Sequence, residues 1–139
     1  MVHALERARR HLGPNGVLVL IQPRRAKRPF IALTAPGQRQ AVGSLINPIF
    51  EPIITAAEAA VHNVLDRQLV VPIGKTNQTY RVTLANPSQL DAYLHTNTTP
   101  PRFPPGGRRR FLDLWSSRPP GARIQVTEFM TVMAFRIAP

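Results

Sequence analysis

The chain contains no cysteine. That absence excludes disulfides, thiolate metal sites and a cysteine nucleophile. Acidic side chains are scarce, with 7 Asp and Glu against 18 Lys and Arg, for a formal charge of +11. No apolar run reaches the roughly 18 residues that a membrane-spanning helix needs. The opening Met1-Val-His-Ala-Leu-Glu-Arg7 enters a helical pattern at once and has no apolar centre of a secretory signal. The expected address is the cytoplasm, with no membrane partner.

What is present suits a single domain over 1–139. Hydrophobic residues make up 43% of the chain, enough for a buried core. The 15 prolines fall mostly in short clusters, which predicts long ordered loops. The positive charge attracts polyanions, so nucleic acid is an open partner class. Arginine predominates over lysine, and its planar fork grips phosphate with two bonds.

The periodicity predicts a helix over Val2 to Leu12, with Leu5, Ala8 and Leu12 on one side. Gly13-Pro14-Asn15-Gly16 stops it. The run Val17-Leu18-Val19-Leu20-Ile21 is apolar throughout, which predicts a strand buried on both faces, as in a parallel sheet. A basic loop, Gln22 to Pro29, follows at its carboxyl end, where open α/β sheets place ligands. Phe30 to Thr34 predicts a short extended piece before a turn at Ala35-Pro36-Gly37.

A second helix is expected from Pro52 to Arg67, with an earlier start near Asn47-Pro48 also compatible. Its apolar face comprises Ile53, Ala57, Ala60, Val61 and Val64. Leu69 to Ile73 and Asn77 to Ala85 are extended, either as two strands or as one long bent strand. A short helix follows over Gln89 to Leu94 with Ser88 as cap. His95 to Gly107 is an irregular loop, Arg108 to Ser116 a third main helix. Ala122 to Ile137 is the longest strand, alternating at first and apolar on both faces later.

The opening phrase from Ala4 to Pro23 resembles a recurring piece of class I S-adenosylmethionine-dependent methyltransferases. In that family a helix ends in a Leu-x-Pro-x-Gly turn and feeds the fifth strand. Leu12-Gly13-Pro14-Asn15-Gly16 stands in that place, and Gln22-Pro23 sits where Glu-Pro is common. The remaining element order is similar to the family's carboxyl-terminal half, with 127–136 resembling its antiparallel seventh strand. The resemblance implies an α/β, three-layer-type, partial Rossmann-like half. Its mixed sheet would have about three to four strands, including a long antiparallel C-terminal strand, with three main helices.

The family's cofactor is held by a Gly-rich loop after the first strand and an acid after the second. Neither stands before Val2. No bound cofactor is therefore expected, and no catalysis by the chain alone. A gene model truncated upstream, of an otherwise active methyltransferase, is a further reading.

Candidate sites are few. Arg24, Arg25, Lys27 and Arg28 form one candidate anion site, or a solvated loop. Arg108, Arg109 and Arg110 form another, at a helix start where positive charge is disfavoured unless an anion or solvent relieves it. Glu58 and His62, at i and i+4, bring two metal-ligating groups together without a third. Ser44, Ser88, Ser116 and Ser117 lie in no nucleophile-elbow motif. Trp115, Phe111 and Tyr93 fit a core better than a base-stacking platform. Glu128 interrupts an apolar strand and is the acid to follow. The expected catalytic, cofactor and metal residues are none.

The half-domain reading has a physical consequence. Val17, Val19 and Ile21 would lie on an exposed sheet edge, and an uncharged apolar edge invites pairing. The expected partner is a second copy, as a two-fold dimer, or a separately encoded cofactor-binding half.

Overall fold

The computed structural model describes residues 2–138. The chain order is α1 (Val2–Arg10), β1 (Val17–Pro23), β2 (Phe30–Ala35), β3 (Gln38–Ser44), α2 (Phe50–Asp66), β4 (Val70–Leu84), α3 (Pro87–Leu94), α4 (Gly107–Ser116) and β5 (Arg123–Ile137). The five strands form one sheet of order β1-β5-β2-β3, with β4 also paired to β5. The registers of β1 with β5, β2 with β3 and β2 with β5 are all antiparallel. The expected mixed, partly parallel sheet of three to four strands is therefore replaced by a five-stranded open antiparallel sheet, and its order is not typical of a Rossmann-like fold.

The chain forms two compact units. The first comprises Met1–Arg25, Ile49–Gln78 and Met130–Pro139, and the second Ala26–Pro48 and Thr79–Phe129. Strands β4 and β5 contribute a stretch to each.

In the first unit, Gly16 makes the α1–β1 turn compact. Its N–H donates to the Gly13 carbonyl at 2.8 Å, and a Cβ there would stand 2.6 Å from the Leu12 Cβ. Only glycine fits that approach, so this turn is structural. Helices α1 and α2 supply Leu5, Val61, Val64 and Leu65 to a core with Leu18 and Leu20 of β1, Val70 of β4, and Met133 and Phe135 of β5.

The second unit packs α3 and α4 on its strands. Leu90, Leu94 and Phe111 meet Ile31, Leu33, Val42, Ile124 and Val126 there. Phe111 is fully buried and stacks on Phe103 at 5.5 Å between ring centroids. Its α3 is capped by Asn86, not by the expected Ser88. The Asn86 side chain accepts from the Gln89 N–H at 2.9 Å, and the Gln89 side chain accepts from the Ala85 N–H at 2.8 Å. Pro87 occupies the first turn, where its missing N–H costs nothing.

The double-sided apolarity of β5 has a local cause. Its even residues Ile124 and Val126 belong to the second unit's core, while its odd residues Met133 and Phe135 belong to the first unit's core. Of the two readings of 69–85, a single long strand is the one adopted.

Candidate functional site

The expectation that β1 is buried on both faces is corrected. Its burial alternates, with Val17, Val19 and Ile21 exposed at 45%, 54% and 63%. The even residues Leu18 and Leu20 enter the core. An antiparallel edge strand has one covered face, and this one turns its larger exposed area to solvent. The register places Val19 opposite Ala134 and Ile21 opposite Val132, so those pairs share the uncovered face. Among the described pairings β1 meets only β5, at one end of the sheet order, and its other edge has no partner strand.

The other boundary strands carry the usual protections. Strand β3 has Arg39 and flanking glutamines, and β4 has Pro72, Lys75 and Arg81. Charges and proline oppose edge-to-edge pairing. Strand β1, Val-Leu-Val-Leu-Ile-Gln-Pro, has no charge and reaches a proline only at its end.

The two arginine clusters are only partly open to an anion. Arg25 bonds Glu51 and Glu58, with Nη2 at 2.8 Å from Glu58 and 3.0 Å from Thr55. The Arg25 hydrogen bond holds the Glu58 carboxyl below the usual carboxylate range, and His62 adds a smaller effect in the same direction. Arg28 donates to the Lys27 carbonyl at 3.2 Å, and the Lys27 ammonium lies 5.7 Å from the Phe129 ring centre. Arg24 is half-buried.

At the start of α4, Arg108 forms a two-bond pair with Asp91 at 2.8 and 3.1 Å, which holds that carboxyl below its usual range. Arg109 and Arg110 are exposed and form no ion pair among the described residues. The first turn of α4 has no acid, and its cap, Gly106, has a φ of 76° and no side chain to offer the orphan N–H groups. A groove beside it is lined by Arg102, Arg108, Arg109, His95 and Phe103.

Glu128 is half-buried and accepts a hydrogen bond from the Tyr93 hydroxyl at 3.1 Å. The Tyr80 phenol stands near Tyr93 and Glu128. Burial raises the Glu128 carboxyl above its usual value, against the lowering effect of Tyr93. Burial, together with the nearby Glu128 charge, raises both phenols. These three groups form a partly buried titratable cluster in the second unit, each shifted upward mainly by burial. Glu128 was visible in the sequence as a break in an apolar strand, whereas neither tyrosine was linked to it.

The remaining candidates hold no assembled chemistry. No group of three or more metal-ligating side chains occurs among the described residues. The Ser116 and Ser117 hydroxyls donate to the Asp113 carbonyl. Trp115 lies under the Arg118 guanidinium at 4.0 Å, so it is covered rather than open as a stacking platform. No helix among the described residues is long and apolar enough to cross a membrane. No family model, curated protein or solved structure matches the chain.

Proposed function

We propose that this chain is a methyltransferase-like subunit, not catalytic alone, that works in an assembly joined at the β1 edge. The observation that carries the reading is an uncharged, apolar strand with an unpaired edge and three large side chains in solvent. The methyltransferase part rests on the Leu12–Gly16 turn feeding β1 and on the pairing of both β1 and β4 with β5. That is the order the resemblance assigns to the fifth, seventh and sixth strands. The β2–β3 hairpin and the α3–α4 pair lie outside it.

Light scattering and sedimentation at micromolar concentration test the assembly. The parent chain is expected above monomer mass, and Val19→Lys is expected to dissociate it. A lysine on each copy removes two half-exposed apolar contacts worth roughly 1 kcal/mol each, so the dissociation constant should rise roughly 30-fold or more. A parent chain monomeric throughout this range would overturn the reading. Calorimetry with S-adenosylmethionine addresses the catalytic part, with no binding heat expected from the chain alone.

A second reading is a basic polyanion-binding module. It is favoured by the groove at the acid-free start of α4, where Arg102 and Arg109 stand beside an uncapped helix end.

A further inference from the structure

We propose that the partner at the β1 edge is a second copy of this chain, paired strand to strand in antiparallel fashion about a two-fold axis at Leu20. The inference rests on the assembly reading above and gives it a register.

Charge selects this strand for self-pairing. Two copies at +11 repel each other wherever their cations meet. Strand β1 carries none over its 7 residues. A strand that is neutral along its length lets identical copies approach without placing like charges opposite one another.

Parity then restricts the register. An antiparallel pair that extends the sheet brings like faces together, because directly opposite residues point to the same side. Odd residues of β1 are exposed and even residues face the core. Odd must therefore meet odd, which puts the two-fold axis on a residue rather than between two.

Length and charge choose among the remaining registers. An axis at Leu20 pairs Val17 with the partner's Pro23, Leu18 with the partner's Gln22 and Val19 with the partner's Ile21, so all 7 residues of β1 are used. Arg24 and Arg25 then lie beyond the strand, opposite the neutral Gly16 and Asn15 positions of the turn. An axis at Ile21 would set Arg24 against Leu18 and Arg25 against Val17, placing cations on the apolar strand. An axis at Val19 would leave Gln22 and Pro23 opposite the turn and shorten the pairing. The Leu20 register also joins the exposed Val17, Val19 and Ile21 of both copies into one stripe.

The absence of cysteine makes the test clean, because any thiol is an introduced one. Directly opposite antiparallel residues have Cα atoms about 4.5–5.5 Å apart, within the roughly 4.4–6.8 Å that a disulfide spans. Val19→Cys and Ile21→Cys chains, co-expressed with distinct mass tags and oxidised, are expected to form the mixed covalent dimer. Neither variant alone should cross-link efficiently, because its own copy lies two residues out of register. Circular dichroism confirms that each variant is folded. Self-cross-linking of either single variant as efficient as the mixed product would overturn the register. A dimer that Val19→Lys dissociates but that yields no cross-link at these positions would overturn the strand-to-strand register while leaving the assembly at the β1 edge standing. A monomeric parent would remove both.

Discussion

Glu128 is an acid that folding half buries beside a phenol, with no cation paired to it among the described residues. Burial favours the protonated form, so its pKa in the folded chain is raised above the unfolded value. Stability from this group is therefore fully present below the ordinary value of 4.5 and declines as pH rises through the folded value. Glu128→Gln keeps a hydrogen-bonding side chain and removes the charge. Its melting temperature should exceed the parent's at pH 7, and the gain should shrink as pH approaches 4.5, which thermal scans across pH would check. Glu58 and Asp91 have the opposite sign, since arginine partners lower them and their contribution is lost as pH falls. Those pairs are largely exposed, and solvent screening keeps their share small. The sequence exposed Glu128 as an anomaly in an apolar strand. It could not supply the Tyr93 bond, because that contact bridges a separation of 35 residues.

Among the elements, the helices, strand β2 and the turn after it were largely legible, and strand β3 was not. A helix closes its hydrogen bonds locally, so its spacing is written in consecutive residues. Strand β3 reads Gln-Arg-Gln-Ala-Val-Gly-Ser, and only Val42 of it is buried. Its place depends on antiparallel pairing with β2, including a bulge between Ile31 and Ala32. The cap of α3 shows a finer limit. Asn86 and Ser88 are both capping types, and the backbone turn at Pro87 decides for Asn86. Asn86→Ala is expected to cost about 1 kcal/mol in urea unfolding, while Ser88→Ala should cost much less. Equal losses for both would contradict the observed cap.

For the whole molecule, charge and sheet edge are separable. Under the polyanion reading, affinity for a single-stranded oligonucleotide should fall with salt. Three phosphate contacts, through Arg102, Arg109 and Arg110, predict a log–log slope of about −2. Replacing Arg109 and Arg110 by alanine should flatten that slope by roughly 1 to 2 in fluorescence anisotropy titrations. An unchanged slope would remove the α4 start from consideration. Composition alone determined the excess of positive charge and the lack of thiol chemistry, because neither depends on how the chain folds. Local spacing determined α1, α2 and the apolar character of Val17–Ile21, because their patterns are complete within a few turns or residues. Tertiary structure alone decided that β1, expected from the resemblance to be a sheet edge, leaves one face in solvent rather than burying both. An apolar run reads the same whether one face or both are covered, and only the strands and helices brought to it from elsewhere in the chain determine which.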